Sequence, residues 1–365
     1  MAEIRIENLH KRFGDFVAVK DSTLTIRDGD FFVLLGPSGC GKTTTLRMIA
    51  GLEMPSSGKI YLDGEDVTSL RAAKRDIAFV FQLFGLYPHM NVRQNLAYPL
   101  KSQGMPRARI KERVAEVARM LRIDHLLDRK TSGLAGGDRQ RVALGRAIVR
   151  RPKAFLMDEP LGALDAEFRE LMCDELRTLH DRIDATTVYV THDQIEAMAM
   201  ADRIAVMNKG VIEQLAPPRE IYDRPASLFV ADFVGSPPMN LIRLRTRLDQ
   251  GATAVPFDEE RVAIPAVHDG LDHDDAVLGI RPEHIRLDDD GPVRGRVYGT
   301  EFMGSVQIAT FDTAHGMLKA RLDAAERVRD GETVGLRFLT DRLVVFDGRT
   351  GRALDGGPHR ETGRG

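Results

Sequence analysis

Residues 36–44 read Gly-Pro-Ser-Gly-Cys-Gly-Lys-Thr-Thr, the spacing G-x-x-x-x-G-K-[ST]. Glycines this close together leave backbone N–H groups unscreened, so the turn and the start of a following helix can surround the oxygens of a polyphosphate. Ser38, Gly39, Cys40 and Gly41 supply that cradle, and Lys42 adds a point positive charge. The Thr43 hydroxyl can complete the coordination of Mg2+, and Thr44 adds a donor nearer the sugar end of a nucleotide. Cys40 is read as a small filler beside the turn in preference to a redox thiol. A second group, Asp158 and Glu159, closes an apolar run at 154–157. Ligands of α/β proteins bind at such strand ends. Asp158 is placed to hold Mg2+ directly or through water, and Glu159, pointing differently, to polarise a water that attacks a γ-phosphate.

These groups need rigid elements behind them. Alternation predicts strands at 3–9 and 17–26, and the run Phe-Phe-Val-Leu-Leu at 31–35 predicts a buried strand. Helical spacing begins at Lys42 and stops at Gly51, a suitable C-terminal cap. Further helices are expected at 107–127, from 141 to 150 and at 165–183, with strands at 154–160 and 186–193. Strands alternating with helices indicate an α/β fold with a mainly parallel sheet covered on its faces.

At 365 residues, two domains are the natural expectation. The texture changes at the Pro-rich 235–240, giving a first domain over 1–235. Short alternating segments follow and predict a small antiparallel, barrel-like β domain over 236–348, with an apolar-poor mobile tail at 349–365. The 52 basic and 54 acidic side chains leave a net charge of −2, which offers no electrostatic reason to expect nucleic acid or anionic lipid as a partner. Two cysteines, Cys40 and Cys173, make neither a disulfide framework nor a zinc site and suit a reducing compartment. The charged N-terminus and the lack of about 18 consecutive apolar residues predict a cytoplasmic, non-spanning chain.

The phosphate loop, the Gln82 segment (77–82), the segment Gly-Leu-Ala-Gly-Gly-Asp-Arg-Gln-Arg at 133–141, the strand end at 158–165, Val-Thr-His-Asp at 190–193 and Gly-Ile-Arg-Pro-Glu-His-Ile at 279–285 together resemble the ATP-binding subunits of ABC transporters. More narrowly, nearly the whole chain resembles the subunits that power bacterial carbohydrate importers of the maltose type. The resemblance implies a P-loop NTPase nucleotide-binding domain with a helical subdomain at about 88–150, followed by a small all-β, OB-like barrel with a regulatory role.

It also implies roles for single residues. Phe13 would stack on adenine, Gln82 would reach Mg2+ and the attacking water, and His192 would hydrogen-bond the γ-phosphate. Ala135, Gly136, Gly137 and Asp138 form the signature segment, which faces the ATP held by a second subunit. Asp165 would touch that subunit or cap its own helix. Leu83, Phe84 and Gly85, with Tyr87, Pro88 and His89, would face a permease. The cofactors implied are ATP and Mg2+. The partners implied are a second ATP-binding subunit in a homodimer or heterodimer, two transmembrane permeases and an extracytoplasmic solute-binding protein, at the cytoplasmic face of the inner membrane. The leading reading is an importer ATPase for sugars, sugar alcohols or glycerol derivatives. Alternatives are a weakly active partner in a heterodimer, a polyamine or ion importer, or a soluble ATPase acting on nucleic acid.

The signature departs from the family's Ser-Gly-Gly-Gln at Ala135 and Asp138. Ala135 lacks a hydroxyl that would donate to phosphate, and one hydrogen bond to a charged group contributes about 1.5–3 kcal/mol. Asp138 suits a helix N-terminus and stands three residues before Arg141. Ala135→Ser is therefore expected to strengthen ATP affinity and raise the ATPase rate by about tenfold or more. Titration with ATP and a turnover assay on both proteins check this, and unchanged values contradict it.

Overall fold

All five residues of β3 (Phe31–Leu35) are buried, because this strand lies inside a sheet covered on both faces. In the computed structural model, which describes residues 2–82, 85–150, 152–162, 164, 166–183, 185–257, 260–267 and 269–354, two compact units divide the chain: Met1–Pro218 and Arg219–Gly365.

The first unit opens with the hairpin β1 (Ile4–Phe13) and β2 (Phe16–Ile26), joined through β1 to β4 (Ser57–Leu62) and the short β5 (Glu65–Asp66) in an antiparallel sheet. α1 (Lys42–Ala50) follows β3 and ends at Gly51, whose left-handed φ of 71° lets its N–H cap the helix on Arg47 and Met48 carbonyls. The second sheet holds β6 (Ile77–Val80), β7 (Ala154–Asp158), β8 (Thr186–Thr191), β9 (Arg203–Asn208) and β10 (Val211–Ala216) in the order β10-β9-β3-β8-β7-β6. Every pairing is parallel except that of the edge strand β10. Between β6 and β7 lie α2 (Val92–Ser102), α3 (Arg107–Met120) and α4 (Gly136–Ile148). Between β7 and β8 lies α5 (Ala166–Ile183), and α6 (Gln194–Met200) precedes β9.

Some expected boundaries move. The helix expected over 107–127 stops at Met120, where Arg122 takes a φ of 55° and a separate 3-10 turn covers Asp124–Leu126. α4 starts at Gly136, ahead of the apolar periodicity that begins near 141, so 136–138 form its first turn, as expected of the signature segment at a helix start. The strand expected over 154–160 ends at Asp158, since Glu159 has a φ of 44°.

The second unit contains the C-terminal end of α7 (Pro218–Asp223), α8 (Leu228–Phe233) and antiparallel strands. β11 (Asn240–Arg245), β14 (Asp275–Ile280) and β20 (Val344–Asp347) form one sheet, and β12 (Ala254–Phe257) and β13 (Glu260–Ala263) form a hairpin. β15 (Ile285–Leu287), β16 (Val293–Phe302), β17 (Val306–Thr313), β18 (Gly316–Asp323) and β19 (Thr333–Phe338) form the five-stranded sheet β15-β19-β16-β17-β18, over a core that includes Phe257, Phe311 and Phe338.

Residues 219–235, read from sequence with the first domain, cluster with this unit. Arg281 gives the physical reason: it is buried, donates to the carbonyls of Tyr222, Ala231 and Val234, and lies 4.2 Å over the Tyr222 ring. The start of the expected tail is also structured. Leu354 is buried and its N–H donates to Val345, while residues 355–365 lie outside the described residues. No helix among the described residues is long and apolar enough to cross a membrane.

The position of α1 depends on Arg75, which is 1% exposed. Its guanidinium donates to the carbonyls of Met48 (2.6 Å) and Ile49 (2.9 Å) at the helix C-terminus, and to Leu70 (2.8 Å) and Thr68 (3.0 Å). A cation at that end also complements the helix dipole. Arg75→Met strands these carbonyls, a loss of about 3 kcal/mol, or roughly 6–12 °C in melting temperature for a domain of this size. Calorimetry of both proteins tests the expectation, and a shift under about 2 °C contradicts it.

Candidate active site

The loop from Gly36 to Gly41 connects β3 to α1. Gly41 has a φ of 107°, and a Cβ there would stand 2.4 Å from the Ala18 carbonyl oxygen on β2, so both backbone conformation and space require glycine. Gly39 is also left-handed, at a φ of 78°. Ser38 and Thr44 flank this turn, Thr44 within the first turn of α1. Lys42 is buried and folds into the loop, its Nζ donating to the carbonyls of Gly36 (2.8 Å) and Pro37 (3.0 Å). Cys40 is buried with its Sγ 3.9 Å from that ammonium, and burial raises its thiol pKa. A protonated, enclosed thiol fits the role of filler.

Thr43, beside Lys42, donates from Oγ1 to Asp158 Oδ1 at 2.7 Å. Burial raises the Asp158 pKa, while the Thr43 hydroxyl opposes the shift. Directly after it, Glu159 turns into the left-handed region at a φ of 44°, and its N–H donates to Val190 on β8 at 3.0 Å. That turn separates two consecutive carboxylates. Asp158 faces the phosphate loop. Glu159 instead accepts from Gln82 Nε2 at 3.4 Å through Oε2, and its Oε1 stands 3.3 Å from His192 Nδ1. Gln82 follows β6 and His192 follows β8, the two neighbours of β7. Four strand ends therefore converge. The donor set of Thr43 hydroxyl, Asp158 carboxylate and Gln82 amide consists of hard oxygens, and the 2.7 Å contact already joins two of them, so the residues fit Mg2+ shared with phosphate oxygens.

Phe13 ends β1 as a 47% exposed ring with the Lys11 ammonium 4.7 Å above it, so it is not a core side chain. Ala135 is the N-cap of α4, extended at φ −62° and ψ 162°, with no side-chain cap. Gly136, Gly137 and Asp138 form the first turn, where backbone N–H groups lack helical partners. The Asp138–Arg141 pair is loose at 3.9 Å, because Arg141 meets Glu175 with two nitrogens at 3.0 and 3.2 Å. Among the described residues no hydrogen bond or ion pair joins Phe13 or 135–138 to the group around Glu159. Asp165, Leu83 and Phe84 lie outside the described residues.

The segment after Gln82 is anchored by residues that carried no sequence signal. Arg146 on α4 donates to the Gly85 carbonyl at 2.6 Å and lies 5.4 Å from the Tyr87 ring. Buried Asn95 on α2 brackets Tyr87, accepting from its N–H at 2.9 Å and donating to its carbonyl at 3.1 Å. Thr131 donates to the same carbonyl at 3.0 Å, and the His89 ring stands 6.2 Å from that of Tyr87. Arginine in an Ala-rich helix and an asparagine near a helix start look like surface residues until their long-range partners are known.

Residues 19–162 match the ABC transporter family model, 235–285 the MalK OB fold domain and 278–346 the TOBE domain. The trehalose/maltose import ATP-binding protein MalK of Thermococcus litoralis is 46% identical over 97% of this chain and 100% of its own length. The xylose/arabinose import ATP-binding protein XacJ of Haloferax volcanii is 45% identical over 98% of this chain and 97% of its own. The sn-glycerol-3-phosphate import ATP-binding protein UgpC of Salmonella choleraesuis is 45% identical over 97% and 100%. Among solved structures, a dimeric ATP-binding cassette in a post-hydrolysis state with ADP and phosphate is similar at a TM-score of 0.54 and 32% identity, covering 59% of this chain and 99% of that one. With end-to-end relatives on one side and, on the other, a phosphate loop that meets Asp158 while Glu159 diverges toward Gln82 and His192, the chain belongs to the ABC transporter ATP-binding proteins and is an ATP hydrolase.

Proposed function

We propose that this chain is the ATP-hydrolysing subunit of an importer for sugars, sugar alcohols or glycerol-phosphate-like solutes. Its full-length relatives carry import names for trehalose, maltose, xylose, arabinose and sn-glycerol-3-phosphate, which supports that solute class. The observation that carries the catalytic part is the meeting of Glu159 with Gln82 and His192, at 3.4 and 3.3 Å, beside the Thr43–Asp158 pair.

In this reading Lys42 and the N–H groups of 38–44 hold the β- and γ-phosphates of ATP, Phe13 stacks on the adenine, and Lys42 swings from its loop carbonyls to phosphate oxygens. Thr43, Asp158 and Gln82 would hold Mg2+, which would neutralise charge on the phosphates. Glu159 orients and polarises the attacking water, Gln82 sets its approach, and His192 hydrogen-bonds the γ-phosphate. The first turn of α4, from Ala135 to Asp138, offers its free N–H groups to the ATP of a second ATP-binding subunit, and Asp165 contributes at the same interface. Each site is then complete only in a closed dimer, and ATP stabilises closure by contacts that exist in that state alone. Two permeases receive the motion through the segment 82–90 at the cytoplasmic face of the membrane, and an extracytoplasmic protein delivers the solute. The full set of Lys42, Thr43, Asp158, Glu159, Gln82 and His192 within one chain supports a catalytic subunit.

Glu159→Gln keeps the shape and removes the charge. Turnover is expected to fall by at least about a hundredfold, with ATP affinity within about threefold and an ATP-bound dimer accumulating in size-exclusion chromatography. Turnover close to that of the natural sequence would overturn the assignment.

A further inference from the structure

α5 begins just past the turn that follows Glu159, and its Arg169 reaches back to that turn. Arg169 Nη2 donates to the Leu164 carbonyl at 3.0 Å, Nη1 meets Asp193 Oδ2 at 3.0 Å, and Nε lies 3.6 Å from Glu196 Oε1. Leu164 and Asp193 each belong to a chain reversal at the site, and Glu196 lies in the first turn of α6. Leu164 closes the turn in which Gly162 N–H donates to Glu159 O at 3.3 Å and Leu164 N–H to Leu161 O at 3.0 Å. Asp193 is adjacent to His192 and caps α6, its Oδ1 accepting from the N–H groups of Ile195 (2.7 Å) and Glu196 (3.3 Å). Glu196 is buried and accepts from the Tyr189 hydroxyl at 2.8 Å and the Thr191 hydroxyl at 2.7 Å, which ties it to β8.

The reversals bearing Glu159 and His192 are thus joined twice: at the front by the 3.3 Å contact between those two side chains, and behind by one guanidinium. A planar fork with donors in several directions can span a carbonyl and two carboxylates, whereas an ammonium is a single point donor. Such an ion-pair cluster adds little net stability, since desolvation offsets its attraction, but it sets geometry. We propose that Arg169 is a positioning residue for ATP hydrolysis, setting the separation of Glu159 and His192. The proposal rests on the reading of those two residues as the groups at the γ-phosphate.

The test uses the full chain assembled with its permeases, comparing the natural sequence with Arg169→Met and Arg169→Lys for kcat, KM for ATP and melting temperature. Arg169→Met is expected to lower kcat about ten- to hundredfold, the cost of an ångström-scale misplacement, with KM nearly unchanged and little recovery in Arg169→Lys, whereas the melting temperature falls in Arg169→Met alone, because the buried Glu196 keeps a cation beside it only in the lysine variant. In a His192→Ala background, followed by single turnover, Arg169→Met should cost less than about twofold more, because the group it acts through has gone. An unchanged kcat, a fall in melting temperature that parallels kcat in both variants, or equal losses in the two backgrounds would overturn the proposal. Absence of ATP turnover in the natural sequence would instead count against the proposed function.

Discussion

Two consecutive carboxylates at the end of one strand serve different tasks because their side chains leave the backbone in different directions, and the turn at the second one fixes where it goes. Glu159 turns by adopting a φ of 44°, a conformation that costs a non-glycine residue about 1–3 kcal/mol and persists only where its surroundings hold it. Here they do. Its N–H is paired with Val190 on β8, its carbonyl accepts from Gly162, and its carboxylate lies between Gln82 and His192. With Asp158 left facing Thr43, one side of the strand end meets the phosphate loop and the other meets the residues proposed to manage water.

The rest of the first unit can be understood as support for that divergence. The parallel order β3-β8-β7-β6 brings the phosphate loop, His192, the two acids and Gln82 to one edge of the sheet. Arg75 holds the far end of α1, and the crowding of Gly41 by β2 holds the near end, so the helix that starts at Lys42 is constrained at both termini. Segment 85–90 is tied to α2 through Asn95 and to α4 through Arg146. A displacement of that segment is thereby linked to the helix whose first turn is the signature, which is what the proposed coupling to a permease needs.

Much of this was legible in the sequence because local chemistry dictated it. The phosphate loop, the buried run at 31–35, the cap at Gly51, the parallel α/β alternation and the β-rich C-terminal region all follow from spacing, periodicity and turn residues over short stretches. What escaped depends on partners far away in the chain. Nothing in a glutamate announces a left-handed backbone, and the helix at 107–127 ends early because Arg122 adopts one too. Arg75, Arg146, Arg169 and Arg281 look like ordinary surface charges in sequence, yet each spends its donors on distant carbonyls or carboxylates. Arg281 in particular draws residues 219–235 to the second unit, against the change in composition at 235.

Asp158 is proposed to act in binding ATP with Mg2+, and Glu159 in the chemistry. Equilibrium ATP binding, measured with Mg2+ and with a chelator, separates the two most directly. Asp158→Asn is expected to lose about tenfold or more of the Mg2+-dependent gain in affinity while binding in chelator stays the same, and Glu159→Gln to keep the whole gain. An equal Mg2+-dependent gain in Asp158→Asn and the natural sequence, or its loss in Glu159→Gln, would contradict that division of roles.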